Sequence, residues 1–261
     1  MAIPNYALTA DAYEVRLETA RGAVEGVCAP QFEGVLEAFL ANFERRGESG
    51  ASVAVAFGGE TVVDLWGGEA DPGADGPWRE DTVVVVYSCT KAATALCAHL
   101  LAARGLLDPD APVAAVWPEF ARSGKDGVTV RMLLDHTAGL PAIRGPLKPD
   151  CLLDWDYMTE RLAAEAPFWE PGVRLGYHAI TFGFLVGEVV RRISGRSLGG
   201  FFRDEIARPL GLDFWIGLPA AEEPRVAPIQ IYRPPPGALP TPFTTAARER
   251  GSIPNLFLYN H

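Results

Sequence analysis

The spacing of apolar residues near the start of the chain changes from helical to alternating. In residues 31–46 apolar side chains recur every three or four positions, which predicts an amphipathic helix that ends at Gly47. The next two apolar stretches, 51–57 and 60–66, flank the Gly58–Gly59 pair. Because glycine tolerates the positive φ of a tight turn, this pattern predicts an antiparallel hairpin.

A β-branched run followed by good helix formers occupies the next part of the chain. Residues 82–87 predict a strand, and residues 88–105 predict a helix that Gly105 terminates. Ser88 is therefore expected at a strand-to-helix junction.

Downstream the pattern is mostly helical until proline interrupts it. We expect helices over 130–136, 155–166, 181–195 and 197–211. From Pro228 onward, seven prolines in 27 residues predict extended loop rather than helix. Nothing after residue 216 predicts a strand, although a two-stranded hairpin is marginal alone and normally needs further strands.

These elements indicate an α/β protein of the α+β type, organised in three parts. Residues 1–87 would form the helix and β-hairpin of an α/β domain. Residues 88–218 would form a mostly helical domain, and residues 219–261 a proline-rich extended segment.

Composition removes several classes of function. The 261 residues include 23 Lys and Arg against 33 Asp and Glu, a net charge of −10, which disfavours nucleic acid and anionic membranes as partners. The four cysteines lack metal-ligand spacing and predict free thiols in a reducing compartment, and neither a metal nor a cofactor is expected. The sequence shows neither a secretory leader nor 18 consecutive apolar residues, so we expect a cytoplasmic protein.

The first candidate for chemistry is the pair Ser88 and Lys91. On a helix, residues i and i+3 lie on one face, so the hydroxyl and the amine are within reach of each other. A serine needs a neighbour that takes its proton, and a lysine can do so when burial or another cation lowers its pKa. The apolar residues that follow Lys91 make desolvation plausible, and the helix start supplies N–H groups suited to an oxyanion.

Three further motifs follow Ser88-x-x-Lys91 in the chain. They are the segment LLDHTAGLP at 133–141, the turn Trp169-Glu170-Pro171-Gly172, and Tyr177-His178-Ala179. In this order the four motifs resemble those of serine β-lactamase-related esterases, also called family VIII carboxylesterases, over residues 30 to 218. The resemblance implies a β-lactamase/transpeptidase-like fold, with an antiparallel sheet flanked by helices and a mostly helical domain.

The resemblance also implies a ping-pong acyl transfer on short- to medium-chain esters. Ser88 would attack the ester carbonyl and Lys91 would take its proton. Tyr177 would relay a proton to the leaving alkoxide and later activate water, because a nearby cation favours the phenolate.

Two departures from the family pattern change the expectation. Penicillin-recognising relatives usually carry Tyr-x-Asn, whereas Ala179 stands at the third position here, which favours esters over β-lactams. The family's third motif, on a late strand, is absent. We therefore expect residues 1–261 to be the N-terminal two thirds of a longer polypeptide, with the C-terminal strands of the sheet missing, and to pair with that segment or form a homo-oligomer.

Two alternatives stay open at this point. One is a β-lactamase or D-Ala-D-Ala peptidase of the same fold, and the other is a non-catalytic scaffold. Ser88 and Lys91 argue against the scaffold, and the absent third motif argues for it.

Other residues with reactive side chains have structural explanations. Ser197 lies in a G-x-S-x-G pattern, but a helical pattern precedes it, so we expect Gly195 to end one helix and Ser197 to cap the next. His136 is expected to tie a loop by hydrogen bonds. His178, beside Tyr177, is equally consistent with substrate contact and with a structural role. The four histidines are too dispersed along the chain to indicate a metal site.

Overall fold

A computed structural model describes residues 7–74, 76–230, 237 and 239–260. The chain divides into two compact units. The first comprises Met1–Val85 with Leu218–Arg233, and the second comprises Val86–Gly217 with Pro234–His261.

The first unit is an antiparallel sheet covered by one helix. Its strands follow the order β1-β2-β4-β3, and β5 pairs with β4. The apolar side of the helix, with Leu36, Phe39 and Phe43, is buried in one core with sheet residues such as Val63 and Leu65. The elements are β1 (Tyr13–Thr19), β2 (Gly22–Cys28), α1 (Glu33–Arg45), β3 (Gly50–Phe57), β4 (Glu60–Asp71) and β5 (Gly76–Pro77).

The predicted helix and the β3–β4 hairpin are confirmed. Gly58 and Gly59 in the connecting turn have φ of 63° and 86°, the left-handed region that glycine enters without strain. The hairpin of β1 and β2 was not predicted. Its first strand, YEVRLET, alternates apolar and polar residues as a half-buried strand does, although the structure buries only Val15 of them.

The predicted strand at 82–87 is wrong. Only Val83 pairs, in a bridge to Val226, where Val83 donates to the Arg225 carbonyl and accepts from Ala227 N–H. The chain has left extended geometry by Val86, whose ψ is 7°, and Tyr87 then has a φ of 45°. Valine-rich composition indicates a strand only when a neighbouring strand offers pairing, and here the pairing ends after one residue.

The second unit is mostly helical. Helices α2 and α5 pack against each other, and their buried residues Cys97, Leu101, Leu185 and Val189 belong to one apolar core. The helices are α2 (Thr90–Ala103), α3 (Val130–Leu134), α4 (Trp155–Ala164), α5 (Thr181–Ser194), α6 (Leu198–Phe202), which continues through a π-turn (Arg203–Ala207) into α7 (Arg208–Leu210), α8 (Pro242–Arg248) and α9 (Ile253–Tyr259).

The extended loop predicted from Pro228 onward is wrong for much of the described part. Both α8 and α9 begin with proline in the first turn, at Pro242 and Pro254, behind the N-cap residues Thr241 and Ser252. A first-turn residue needs no N–H for the helical hydrogen bonds, so proline is compatible with that position. Residues 231–236 and 238 lie outside the described residues.

The segment 219–261, interpreted from sequence as one part, is divided between the units. Val226 and Ala227 belong to the first unit through the bridge to Val83. Asn260 belongs to the second, where its side-chain amide donates to the carbonyls of Ile143 and Gly145.

Lys125 is a buried cation that supports the second unit. Its side chain is 0% exposed, and its amine donates to the carbonyls of Arg122, Ala163 and Glu165. Burial lowers the pKa of Lys125 to about 8. The three acceptors lie at the end of α4 and in the 3₁₀ segment Pro118–Gly124 before α3, so Lys125 joins two segments that are distant in sequence.

Candidate active site

Ser88 lies in the first turn of a helix. A 3₁₀ turn, Tyr87–Cys89, continues directly into α2. Tyr87 holds a left-handed φ of 45°, which is unfavourable for a non-glycine residue and typical of sites where the surrounding structure enforces the geometry. The Ser88 side chain is exposed at the N-terminal end of α2, where unpaired N–H groups and the helix dipole favour negative charge.

Lys91 reaches Ser88 across one turn of the helix, as its spacing predicts. Its amine donates to Ser88 Oγ at 3.1 Å and to the Ala179 carbonyl at 2.7 Å. The amine also lies 5.8 Å from the centroid of the Phe182 ring. The carbonyl of Ala179 thus orients the lysine toward the serine, a contact that involves the backbone and not the alanine side chain.

Tyr177 completes the cluster from the turn before α5. Its hydroxyl donates to Ser88 Oγ at 2.6 Å, and the Lys91 amine lies 4.8 Å from its ring centroid. The hydrogen bond with Ser88 lowers the pKa of Tyr177, the interactions with Lys91 lower it further, and partial burial opposes both. The structure therefore brings together all three residues that the sequence singles out, although Tyr177 is 89 positions from Ser88.

Backbone hydrogen bonds hold Tyr177 in place by joining two of the motifs. Gly172 N–H donates to the Thr137 carbonyl, and Gly176 N–H donates to the His136 carbonyl, both at 3.0 Å. Gly176 also packs against the Trp169 ring so closely that a Cβ would lie 2.2 Å from it. The segment LLDHTAGLP and the turn after Trp169 therefore form one support for Tyr177.

His136 and His178 strengthen this support. His136 Nδ1 accepts from His178 N–H at 3.1 Å, which confirms that His136 ties a loop. His178 is 0% exposed; its Nε2 accepts from Leu140 N–H at 2.9 Å and its Nδ1 lies 2.6 Å from the Gly176 carbonyl. Because a neutral imidazole donates at one nitrogen and accepts at the other, His178 is a structural residue, and the substrate-contact alternative is not supported.

The histidines are less dispersed in space than in sequence. The rings of His136 and His178 lie 5.4 Å apart, whereas His99 is exposed on α2. Among the described residues, no group of three or more His, Cys, Asp or Glu side chains is arranged to hold a metal.

Because His178 is buried, we expect the protein to lose stability in mild acid. Burial, the largest cause, lowers the pKa of His178 to about 4 from 6.5. Between pH 6.5 and about pH 4 the unfolded chain binds a proton that the folded chain does not. The free energy of unfolding therefore decreases as the pH falls through this range, and no further stability is lost below it. We expect the loss of stability that is due to His178 to reach roughly 3 kcal/mol.

Urea unfolding at pH 7 and pH 4.5 measures this contribution. The loss of stability should be smaller in His178→Gln, whose amide oxygen can still accept from Leu140 N–H. The exposed His99→Gln is the matched control and should behave as the unmodified protein. An equal pH dependence in all three proteins would contradict the assignment.

Ser197 has the structural role that the sequence indicates. Its hydroxyl accepts from Gly200 N–H as the N-cap of α6, and Gly195 ends α5 with a φ of 70°. The G-x-S-x-G pattern is therefore a connection between two helices.

A cavity that the sequence did not reveal borders Tyr177. Its volume is about 320 Å³, at the lower end of the range for small-molecule sites. Arg174 is its one charged lining residue, and no motif drew attention to that arginine. The cavity is lined by Pro141, Phe168, Trp169, Arg174, Leu175, Gly176, Tyr177 and Ile253.

Comparison with known proteins finds one matching family model and several curated relatives. The family model described as Beta-lactamase matches residues 32–253. The esterase/beta-lactamase LipL of Mycobacterium tuberculosis is 44% identical over 211 residues, which is 79% of this chain and 48% of LipL. The chain spans about half the length of the curated relatives it matches.

Solved structures of related proteins superpose on this chain. A penicillin-binding protein homologue from Caulobacter crescentus superposes with a TM-score of 0.77 at 46% identity, covering 84% of this chain and 58% of that one. A family VIII carboxylesterase superposes with a TM-score of 0.74 at 50% identity, covering 78% and 56%. The β-lactamase/transpeptidase-like fold expected from the four motifs is thereby confirmed.

Proposed function

The chain belongs to the Beta-lactamase family, and from the geometry of its Ser88 cluster we propose that it is a serine hydrolase of carboxylic esters. The observation that carries the proposal is that Ser88 Oγ accepts hydrogen bonds from both the Lys91 amine and the Tyr177 hydroxyl. Two donors on one oxygen lower the free-energy cost of negative charge there. An exposed serine hydroxyl with no role as a helix cap has no structural need of such partners.

In the acylation step, Ser88 Oγ forms a bond to the ester carbonyl carbon. The serine proton passes to Lys91, and the negative charge of the tetrahedral intermediate faces the N-terminal end of α2. The intermediate collapses when the bond to the alkoxide breaks, and Tyr177 relays the proton held by Lys91 to that leaving oxygen. The products of this half-reaction are an acyl-Ser88 ester and a free alcohol.

Deacylation repeats these steps with water as the nucleophile. Tyr177, whose pKa is lowered by the hydrogen bond with Ser88 and by the interactions with Lys91, takes a proton from the attacking water while it passes its own hydroxyl proton to Lys91. The bond between the carbonyl carbon and Ser88 Oγ then breaks, and Oγ recovers its proton through Lys91. The acid product leaves, and the hydrogen-bonded cluster is restored.

Esters are favoured over β-lactams by the residue at position 179. Ala179 presents only its backbone carbonyl, which Lys91 occupies, and its methyl group cannot donate to the amide side chain of a β-lactam. Two relatives carry esterase in their names, LipL and the EstB of Burkholderia gladioli. Because the LipL name also includes beta-lactamase, nitrocefin is the appropriate competing substrate.

Covalent labelling tests the proposal. We expect a p-nitrophenyl alkylphosphonate to add one phosphonyl group per chain and peptide sequencing to place it on Ser88. Excess p-nitrophenyl butyrate should slow the labelling more than excess nitrocefin. A folded protein that stays unlabelled, or that is labelled on Ser197, would contradict the proposal and favour a non-catalytic scaffold or a different nucleophile.

A further inference from the structure

The cavity beside Tyr177 combines an apolar wall with one uncompensated cation. Phe168, Trp169 and Leu175 supply apolar surface. The Arg174 guanidinium lies 5.3 Å from the Trp169 ring centroid, and among the described residues it has no hydrogen bond or ion pair. An arginine stacked on an aromatic ring keeps its N–H groups free for a planar anion.

A second arginine, which lies over another aromatic ring that lines the cavity, shows the contrast. Arg144 also stacks on an aromatic ring, with its guanidinium 3.6 Å from the Phe168 centroid. However, it forms an ion pair with Glu165 and donates to the carbonyls of Ala166 and Pro167. Arg144 is therefore satisfied by the protein, whereas Arg174 carries a charge that no described acidic group neutralises.

Trp169, which lines the cavity, holds another unused donor. Its indole N–H is buried and has no hydrogen-bond partner among the described residues. A buried donor without a partner costs about 1–3 kcal/mol. An acceptor oxygen of a ligand that reaches this N–H would remove that cost.

The cavity is connected to the reaction through Tyr177, which lines it and whose hydroxyl lies 2.6 Å from Ser88 Oγ. We propose that the preferred substrates are esters that carry a free carboxylate a few bonds from the ester carbonyl, and that Arg174 binds this carboxylate. This inference rests on the ester hydrolysis proposed above and names its substrate class. In a chain of net charge −10, a local cation is needed to offset repulsion of an anionic ester.

Matched substrates separate charge from shape. For a carboxylate on the acyl side, p-nitrophenyl hydrogen glutarate is compared with its uncharged methyl ester; for one on the alcohol side, 4-butyryloxybenzoate is compared with its methyl ester. In one of these pairs, Arg174→Gln should reduce kcat/KM for the anionic ester about tenfold or more, chiefly through KM, and change the neutral ester less than twofold. This magnitude is typical of a lost charged contact.

Two control variants accompany the kinetics. Arg174→Lys keeps the charge and should retain part of the preference. Arg208→Gln changes the net charge equally at a residue that does not line the cavity, and it should have no selective effect. Equal losses for charged and neutral esters, or no loss in either pair, would overturn the inference and leave Ser88-dependent hydrolysis of neutral esters unaffected.

A binding measurement does not depend on turnover. In Ser88→Ala labelled with ¹⁵N-tryptophan, glutarate should shift the indole N–H resonance of Trp169, which Trp169→Phe identifies. The shift should disappear when Arg174→Gln is added. If glutarate moves no indole resonance and the kinetics show no charge selectivity, the carboxylate site does not exist.

Discussion

Replacement of Ser88 with alanine is expected to reduce the hydrolysis of p-nitrophenyl butyrate by about five orders of magnitude. The change removes the oxygen that forms the acyl-enzyme, and neither Lys91 nor Tyr177 can replace it because both act through that oxygen. Packing changes little, since the Ser88 side chain is exposed. The measurement is kcat/KM on protein whose unfolding transition matches that of the unmodified chain.

Ser197→Ala is the matched control for this experiment. It removes a hydroxyl that accepts from Gly200 N–H at 3.1 Å as an N-cap, so it should lower stability by about 1 kcal/mol and leave kcat/KM within twofold. Hydrolysis that persists in Ser88→Ala, or that disappears in folded Ser197→Ala, would reject Ser88 as the nucleophile.

Replacement of Glu188 with glutamine is expected to lower the free energy of unfolding by about 3 kcal/mol, a typical loss when one partner is removed from a buried ion pair. Glu188 is 0% exposed on α5. Its carboxylate accepts from Trp155 Nε1 at 2.8 Å, from Arg191 at 2.7 and 2.9 Å and from Arg192 at 2.7 Å. Glutamine keeps the volume but leaves the two guanidinium groups without the central negative charge.

The pKa of Glu188 reflects the opposing effects of burial and of these hydrogen bonds. Burial raises it, but the hydrogen bonds from Arg191, Trp155 and Arg192 lower it more, so the pKa is below the usual value of a glutamate. The carboxylate is therefore ionised at neutral pH. Arg191 and Arg192 retain contacts with Asp156 and Glu119, which places the expected loss at the lower end of the range for buried pairs.

Urea unfolding at pH 7 measures the effect, with Glu160→Gln as the control. Glu160 is exposed on α4 and has no ion pair among the described residues, so its replacement should change stability by less than about 0.5 kcal/mol. Similar stabilities for the two variants would show that the Glu188 network contributes little. Ester hydrolysis by folded Glu188→Gln should remain near the unmodified level, because none of its partners contacts Ser88.

Local sequence patterns predicted the helices and strands whose apolar spacing and terminating glycines lie within the element itself. Helix α1 and the β3–β4 hairpin follow from apolar spacing and from the Gly58–Gly59 turn, and α5 ends where Gly195 predicts. The patterns failed where a neighbour decides the outcome. The run 82–87 has strand composition but pairs only at Val83.

Proline illustrates the same distinction at the end of the chain. Composition after Pro228 argued against helices, yet Pro242 and Pro254 stand in first turns where their missing N–H is not needed. Position within an element, and not the count of prolines, determines whether a helix forms. The N-cap residues Thr241 and Ser252 were the local signal that marks these starts.

For the site, the sequence by itself determined the Ser88–Lys91 pair, because three positions on a helix place two side chains on one face. Tyr177 entered only with the order of the four motifs. Only the tertiary structure decided that Tyr177 and Ala179 reach that pair, that His178 is buried as support, and that Arg174 lies over Trp169 without a counter-charge. Such contacts join residues far apart in the chain, and their free energy depends on burial and distance, which a linear pattern does not contain.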